Sequence, residues 1–263
     1  MPLAVEKLQL AYQNKVVVSD LSVAFPENKI TALIGPNGCG KSTVLKSLAR
    51  LLKPKAGRVD MDGRDVWRQS AREYAKLLAF LPQQHIVPEG ISVKELIAYG
   101  RSPYLNLWGK LGEEDGRLVE EAMAATHTGE LAEQLVSNLS GGQQQRVFLA
   151  MTLAQDTGYV LLDEPTTYLD LNRQAELMVM MRRLQRQGKT VITVLHDLNQ
   201  ACRYCDYLVV LKNGKLMAEG TPDNVMTVDL LKEVFDLNVE IHRDPVSGTP
   251  MFILQNEGLQ KAV

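Results

Sequence analysis

The sequence lacks the main marks of a secreted, membrane-spanning or nucleic-acid-binding chain. Only three cysteines occur in 263 residues, an odd number that suggests no disulfide framework and fits a reducing compartment. The 29 basic and 31 acidic residues give a formal charge of -2, so the basic excess typical of nucleic-acid binding is missing. No window of the sequence approaches the roughly 20 apolar residues that a membrane helix needs.

The N-terminus and the overall pattern favour a single cytoplasmic domain. Met1–Glu6 carries no basic region followed by an apolar stretch, so we expect no signal peptide and a chain that stays in the cytoplasm. With 45% apolar residues the chain can bury a sizeable core, and we expect one compact domain. The sequence shows no internal repeat, so each motif described below occurs once.

The first third of the chain and the segment after it differ in periodicity. The runs Val16–Val18, Leu21–Phe25 and Ile30–Ile34 are short and β-branched or alternating, and Asp62-Gly63 is typical of a hairpin turn. The segment Val93–Leu135 instead has helical spacing and few clustered β-branched residues. These patterns predict an N-terminal β-rich part and an inserted helical lobe.

The later part of the chain has the pattern of an α/β fold. Continuous apolar runs at Tyr159–Leu162 and Val191–Leu195 are expected for strands that helices cover on both faces. Between them, Leu169–Gln187 has the spacing of a long helix. Tyr207–Ala218 predicts a closing hairpin.

A glycine-rich loop follows directly after the strand that ends at Ile34. It fits the phosphate-loop pattern G-x-x-x-x-G-K-[ST] with Gly35, Pro36, Asn37, Gly38, Cys39, Gly40, Lys41, Ser42 and Thr43. The glycines allow backbone N–H groups to surround a β-phosphate, and the next helix offers its positive N-terminus. We expect Lys41 to reach the β and γ oxygens and Ser42 to ligate Mg²⁺. The alternative is a glycine-rich turn before a helix, but the strand, lysine and serine together predict nucleotide binding.

Two adjacent acids end the apolar run at Tyr159–Leu162. We expect Asp163 to hold Mg²⁺ through water. Because side chains alternate along a strand and its exit, Glu164 points in another direction and is our candidate for the general base. Two solvated acids at a strand end are common in isolation, but the phosphate loop in the same chain favours catalysis.

A second candidate anion site lies at the start of a helical stretch. Its residues are Leu139, Ser140, Gly141, Gly142 and Gln143. Ser140 is a candidate N-cap, and the glycines allow close backbone approach, so this helix start can receive a γ-phosphate. The segment resembles the signature of ATP-binding cassette (ABC) proteins.

The resemblance implies an α/β fold, that of a P-loop NTPase of the ABC ATPase type with an N-terminal antiparallel β subdomain and an inserted α-helical lobe. Residues 1–83 and 158–263 would form the core with the β subdomain, and residues 84–157 the lobe. In this family the signature of one subunit closes over the ATP that the phosphate loop of another holds. A single set of motifs implies a homodimer or a paired homologue that hydrolyses MgATP.

The same resemblance assigns roles to four further residues. Tyr12 is similar to the aromatic residue that stacks on adenine, and Gln83 to the glutamine that senses Mg²⁺. Asp170 is similar to the dimer-contacting aspartate, and His196 to the histidine that contacts the γ-phosphate. Tyr168 departs from the family pattern, which often has a small residue before the Leu-Asp pair.

Within the family, the chain is most similar to ATPase subunits of bacterial importers for ferric siderophores, haem and vitamin B12. Four segments carry this likeness: Pro88–Val93, Tyr99–Pro103, His196–Asp206 and Pro245–Pro250. The likeness implies uptake of an iron chelate, such as ferric citrate or another ferric siderophore. It also implies integral-membrane permease subunits that hold this chain at the cytoplasmic face of the inner membrane, and indirectly a periplasmic or lipoprotein substrate-binding protein.

We also expect residues 83–104, with Leu105 and Trp108 beyond them, to receive a cytoplasmic helix of the permease. An exporter subunit, or an importer of haem or vitamin B12, has the same ATP motifs and stays open. DNA-repair relatives would carry long coiled coils, and translation factors two cassettes, and the sequence has neither. Cys202 and Cys205 predict buried thiols in a helix. His85, His127 and His242 receive no role.

Overall fold

The computed structural model describes residues 3–106, 109–167 and 169–255. The chain divides into two compact units. The first unit comprises the described residues up to Asp65 and from Ile192 onward, and the second unit comprises Val66–Val191. This division does not test the predicted residue ranges of the core and the helical lobe, which stay predictions.

Strands occur along the whole described chain. In chain order they are β1 (Ala4–Tyr12), β2 (Lys15–Ala24), β3 (Ile30–Ile34), β4 (Ala56–Met61), β5 (Arg64–Asp65), β6 (Leu78–Leu81), β7 (Tyr159–Asp163), β8 (Thr190–Val194), β9 (Tyr207–Lys212), β10 (Lys215–Gly220), β11 (Val239–Arg243) and β12 (Pro250–Leu254).

Helices lie between many of these strands, singly or in groups. In chain order they are α1 (Lys41–Leu48), α2 (Ala71–Ala75), α3 (Val93–Ala98), α4 (Glu113–Ala125), α5 (Gly141–Ala154), α6 (Leu171–Arg186), α7 (Leu198–Tyr204), α8 (Pro222–Val225) and α9 (Val228–Phe235). None of the helices among the residues that the structure describes is long and apolar enough to span a bilayer.

The first unit contains the predicted N-terminal antiparallel sheet, whose strand order is β2-β1-β4-β5. The predicted hairpin turn is present, and Asp62 (φ 55°) and Gly63 (φ 76°) both have positive φ, as a type I′ turn requires. The runs Val16–Val18 and Leu21–Phe25, predicted separately, instead belong largely to one strand, β2. The strand continues because Asp20 (φ 54°) takes a left-handed conformation between the two runs.

The first unit also positions a fully buried strand. All five residues of β3 are buried, and β3 pairs in parallel with β9. Strands β9 and β10 form the predicted closing hairpin, with Asn213 (φ 50°) and Gly214 (φ 74°) at its turn. This core strand leads directly into the glycine-rich loop.

A C-terminal hairpin, β11–β12, was not predicted from the sequence. Its two strands pair antiparallel, with Ile241 opposite Phe252. Asn199 on α7 ties the hairpin down, because its Nδ2 donates to the Phe252 carbonyl (3.2 Å) and its Oδ1 accepts from the Phe252 N–H (3.0 Å). The Pro245–Pro250 segment contains the connection between the two strands.

The second unit joins parallel strands to a group of helices. Strand β6 pairs in parallel with β7, with Leu81 opposite Leu162. Helix α5 packs against α3 and α4. The segment predicted as helical, Val93–Leu135, contains α3 and α4 together with 3₁₀ turns at Tyr99–Tyr104 and Gly129–Leu131.

A buried arginine holds the helices of the second unit together. Arg101 is only 4% exposed, and its Nε donates to Asp115 at 2.8 Å. Its Nη1 donates to the carbonyl oxygens of Ala154 and Gln155, both at 2.9 Å. Burial tends to raise the pKa of Asp115, but the Gly112 N–H and the Arg101 guanidinium outweigh it and hold that pKa below its ordinary value.

We predict that Arg101→Met lowers the free energy of unfolding by about 3 kcal/mol, because the substitution removes the buried Arg101 donor from the half-buried Asp115 carboxylate and from two backbone carbonyls. Urea denaturation measures the change. The matched control is Arg117→Met on α4, because Arg117 pairs with Glu114 and Glu121 on the exposed helix surface. The control should leave the unfolding midpoint almost unchanged. Equal losses in the two variants would contradict this account of the buried pair.

Candidate functional site

The phosphate loop connects β3 to α1 through a backbone that only glycine accepts. Gly35, Gly38 and Gly40 have φ values of 148°, 75° and 105°. A Cβ atom at Gly35 would lie 2.1 Å from the Leu211 carbonyl oxygen, so no larger residue fits there. Gly40 is the N-cap of α1, which leaves no side chain over the first turn of that helix.

Lys41 is folded back over the loop. Its Nζ donates to the carbonyl oxygens of Gly35 (2.8 Å) and Pro36 (3.0 Å), and the residue is only 5% exposed. The Cys39 sulfur lies 3.9 Å from the same Nζ. Burial raises the pKa of the Cys39 thiol despite this cation, so the thiol stays protonated and packs as a small apolar group.

The remaining loop residues differ in their exposure. Asn37 and Gly38 are exposed, Ser42 is half-buried on the first turn of α1, and Thr43 is buried. Tyr12 ends β1 with 45% of its surface exposed.

His196 lies at the same end of the first unit's sheet as the phosphate loop. The N–H of Leu195 donates to the Leu33 carbonyl at 3.4 Å, and Leu33 is two residues before Gly35. His196 follows Leu195 and is exposed. Asp197 then caps α7 by accepting from the N–H of Gln200, which fixes where the chain leaves the sheet.

In the second unit, Asp163 and Glu164 separate at the end of β7. Asp163 is the last residue of the strand and is fully buried, whereas Glu164 is half-buried. Glu164 has φ 51°, a left-handed conformation that costs a non-glycine residue free energy. The backbone therefore changes direction directly after the buried Asp163.

Gln83 contacts Glu164 directly. Its Nε2 donates to Oε2 of Glu164 at 2.7 Å. The two residues meet because each follows the carboxyl end of one strand of the parallel pair β6–β7. The sequence predicted both residues but not this bond, which holds the candidate base by its carboxylate.

The signature residues form a complete capping box at the start of α5. The Ser140 side chain accepts from the Gln143 N–H (3.4 Å), and the Gln143 side chain accepts from the Ser140 N–H (2.9 Å). Ser140 is therefore the N-cap, as its residue type predicts. Leu139 is buried, whereas Gly141 is exposed and Gly142 is half-buried.

Asp170 is the N-cap of α6. Its Oδ1 accepts from the N–H of Arg173 at 2.9 Å, and the residue is exposed. The carboxylate thus has a role within its own chain besides the predicted dimer contact. Tyr168, the departure from the family pattern, lies outside the described residues.

The profile of the ABC transporter family matches residues 18–167. The chain belongs to the ABC transporter family. It is 50% identical over 248 residues to the achromobactin transport ATP-binding protein CbrD of Dickeya dadantii, covering 94% of this chain and 92% of that protein. It is 46% identical over 250 residues to the iron(3+)-hydroxamate import ATP-binding protein FhuC of Bacillus subtilis, covering 95% and 93%.

Solved structures agree with this family membership. The ABC cassette superposes on the bacterial ABC transporter cassette MJ0796, solved as a dimer, with a TM-score of 0.74 and 27% identity, over 83% of this chain and 98% of that one. The predicted fold class, an ABC ATPase with an N-terminal antiparallel sheet, is confirmed. The chain is thus an ATP-binding cassette and an ATPase.

The side chains of this ABC cassette that the sequence assigned to Mg²⁺ are hard oxygen donors. Ser42 offers a hydroxyl, Gln83 an amide oxygen and Asp163 a buried carboxylate. In the part of the chain that the structure describes, no cluster of three or more His, Cys, Asp or Glu side chains could hold a metal ion. This donor set fits Mg²⁺ bound together with nucleotide phosphates, which usually takes one or two protein carboxylates.

Cys202, Cys205 and His85 lie outside the motifs that the sequence assigned to ATP. Cys202 and Cys205 are free and buried, as predicted, and burial raises the pKa of Cys202 to about 12. His85, to which the sequence gave no role, stacks on Phe148 with 4.1 Å between ring centroids and contacts Gln145. Only packing reveals these contacts, because His85 lies 60 residues before Gln145 in the sequence.

Proposed function

We propose that this ABC cassette is the ATP-hydrolysing subunit of a bacterial importer for a ferric siderophore. Relatives named for achromobactin and iron(3+)-hydroxamate transport, similar over more than nine-tenths of the chain, carry this proposal. The ferric enterobactin ATP-binding protein FepC of Escherichia coli, at 44% identity, supports the same cargo class. Ferric citrate remains one candidate within that class.

The phosphate loop is our proposed ATP site. The backbone of Gly35, Pro36, Asn37, Gly38, Cys39, Gly40, Ser42 and Thr43 would surround the phosphates, and the ring of Tyr12 would stack on adenine. The Lys41 ammonium would exchange the carbonyl oxygens of Gly35 and Pro36 for phosphate oxygens, because a phosphate is the stronger partner for a cation. The half-exposed ring of Tyr12 supports its role.

Ser42, Gln83 and Asp163 are our proposed Mg²⁺ ligands, with Asp163 acting through water. When bound, the ion neutralises charge on the β and γ phosphate oxygens. Asp163 suits this role because its carboxylate is buried at the end of β7, where its position is fixed. The Gln83 amide would serve both groups at once, because its nitrogen donates to Glu164 while its oxygen would ligate Mg²⁺.

Glu164 is our proposed general base. It accepts a proton from the attacking water, and the Gln83 amide at 2.7 Å orients its carboxylate. His196 would form a hydrogen bond with the γ-phosphate. It follows Leu195, which lies beside the strand that leads into the phosphate loop.

Two copies of the chain would complete each ATP site. ABC cassettes work as dimers with membrane permease subunits, and MJ0796 is such a dimer. In the homodimer that we propose, Leu139, Ser140, Gly141, Gly142 and Gln143 of one copy close over the nucleotide of the other, and Asp170 contacts the partner copy. The open surface at Gly141 supports this role, because a Cβ atom there would meet no other atom within 4 Å.

We further propose that this chain lies at the cytoplasmic face of the inner membrane and that closure of its dimer moves integral-membrane permease subunits. ATP favours the closed pair by its higher affinity for that state, and hydrolysis releases it. Residues 83–104 would receive a cytoplasmic helix of the permease, with Leu105 at the edge of this dock; Trp108 lies outside the described residues. A periplasmic or lipoprotein substrate-binding protein would deliver the cargo to the permease.

We predict that Glu164→Gln retains ATP binding but lowers turnover by roughly 10²–10⁴-fold, because an amide cannot accept the proton from water. Nucleotide binding by fluorescence titration and phosphate release measure the two effects. The control is Glu176→Gln on the surface of α6, where the carboxylate pairs with Arg173. Unchanged turnover in Glu164→Gln would remove Glu164 from the reaction.

We predict that two inactive variants restore one active site when they form a mixed dimer. Lys41→Ala should fail to bind ATP productively, and Ser140→Arg should block the signature. In the mixed dimer, one site combines an intact phosphate loop with an intact signature, so ATP hydrolysis returns. The two variants are co-expressed with different tags, and complexes that carry both tags are isolated and assayed. No activity in those complexes would contradict shared sites.

We predict that a strain lacking this chain loses uptake of a ferric siderophore, and that the wild-type gene but not Lys41→Ala restores it. Uptake of radiolabelled ferric citrate, ferric hydroxamate, ferric catecholate and vitamin B12 identifies the cargo. Normal uptake of all four together with retention of an exported compound would instead identify an exporter.

A further inference from the structure

A chain of buried polar contacts joins three segments of the second unit. Gln145 lies on α5 and is only 5% exposed. Its Oε1 lies 2.9 Å from Nε2 of His85, and its Nε2 donates to the Pro165 carbonyl oxygen at 3.3 Å. Buried polar side chains of this kind are costly unless both ends are satisfied, and Gln145 satisfies both.

The direction of these hydrogen bonds is fixed by Pro165. A carbonyl oxygen only accepts, so the amide nitrogen of Gln145 must face Pro165 and its oxygen must face His85. His85 is then the donor through Nε2. The His85 ring lies flat against Phe148, with an interplanar angle of 16°.

The three residues belong to segments that carry the ATP motifs. His85 is two residues after Gln83, Gln145 is two residues after the last signature residue, Gln143, and Pro165 follows Glu164. The bond from Gln145 therefore ends on the peptide next to the strained backbone of Glu164, where φ is 51°. A second bond, from Gln83 to Glu164, reaches the same residue from the His85 segment.

We propose that Gln145 is a positioning residue for Glu164, and that His85 fixes the orientation of the Gln145 amide. The inference rests on the proposed role of Glu164 as general base. In this arrangement α5, which begins at the signature, holds the backbone beside Glu164, and the Gln83 segment holds its carboxylate. The Glu164 carboxylate is correctly oriented only when α5 and residues 83–85 keep these positions. A shift of α5 would therefore misalign Glu164.

Gln145→Met tests this role, because methionine has nearly the same length but cannot donate to Pro165. We expect ATP affinity to stay within about twofold, since no residue that we assign to nucleotide binding is changed. Turnover should fall about 10–100-fold, the usual effect of a small misplacement of a catalytic group. His85→Phe keeps the stack on Phe148 and removes the donor, and it should lower turnover in the same direction. His85→Phe combined with Gln145→Met should be no slower than Gln145→Met alone.

The matched control is Gln155→Met at the C-terminal end of the same helix. The Gln155 amide also donates to backbone carbonyls of another segment, those of Ala75 and Leu78, but has no link to Glu164. This variant should lose stability without a comparable loss of turnover. If Gln145→Met fails to fold, His85→Phe carries the test by itself.

The deciding measurement repeats Gln145→Met in the Glu164→Gln background under single-turnover conditions. If Gln145 acts through Glu164, it should cause no further loss once the base is gone. An equal loss in both backgrounds, or a loss as large in Gln155→Met, would overturn the inference. If Gln145→Met has full turnover while Glu164→Gln is slow, only the positioning role of Gln145 is refuted. Full turnover in Glu164→Gln itself would refute the proposed general base.

Discussion

Buried strands that end in a sharp reversal of the backbone determine where the functional groups of both units lie. Strand β3 in the first unit is buried at every residue and leads into the positive-φ turn at Gly35. Strand β7 in the second unit ends at the buried Asp163 and turns at Glu164 with φ 51°. Because the strands cannot shift without exposing apolar side chains, the loop and the two acids keep fixed positions.

Local chemistry explains what the sequence could predict. Ser140 and Asp170 are residues that favour N-cap positions, and both cap helices. Asp62-Gly63 forms the expected turn because few other pairs take positive φ twice. The phosphate loop follows a strand and opens a helix, as its spacing requires. Each of these predictions depends on neighbours within a few residues, where sequence alone suffices.

Long-range pairing explains what the sequence could not predict. The bond between Gln83 and Glu164 exists because β6 lies beside β7, and no local signal announces that pairing. The same holds for Asn199, whose amide binds the backbone of Phe252 in a hairpin that the sequence did not reveal. A single polar residue carries no sign of its distant partner, so the contact between His85 and Gln145 was likewise missed.

The glycines of the two proposed anion-binding turns differ in whether the packing of the chain itself excludes a Cβ atom. At Gly35 the chain itself excludes a Cβ atom, because the Leu211 carbonyl lies in its place. At Gly141 a Cβ atom would meet nothing within 4 Å of the same chain, and alanine would favour helix α5. The packing of the described chain therefore does not explain a glycine at Gly141, whereas a group that approaches from outside would explain it. In the homodimer that we propose, a nucleotide held by the second copy is such a group, and the capping box at Ser140 would fix the start of α5 beside it.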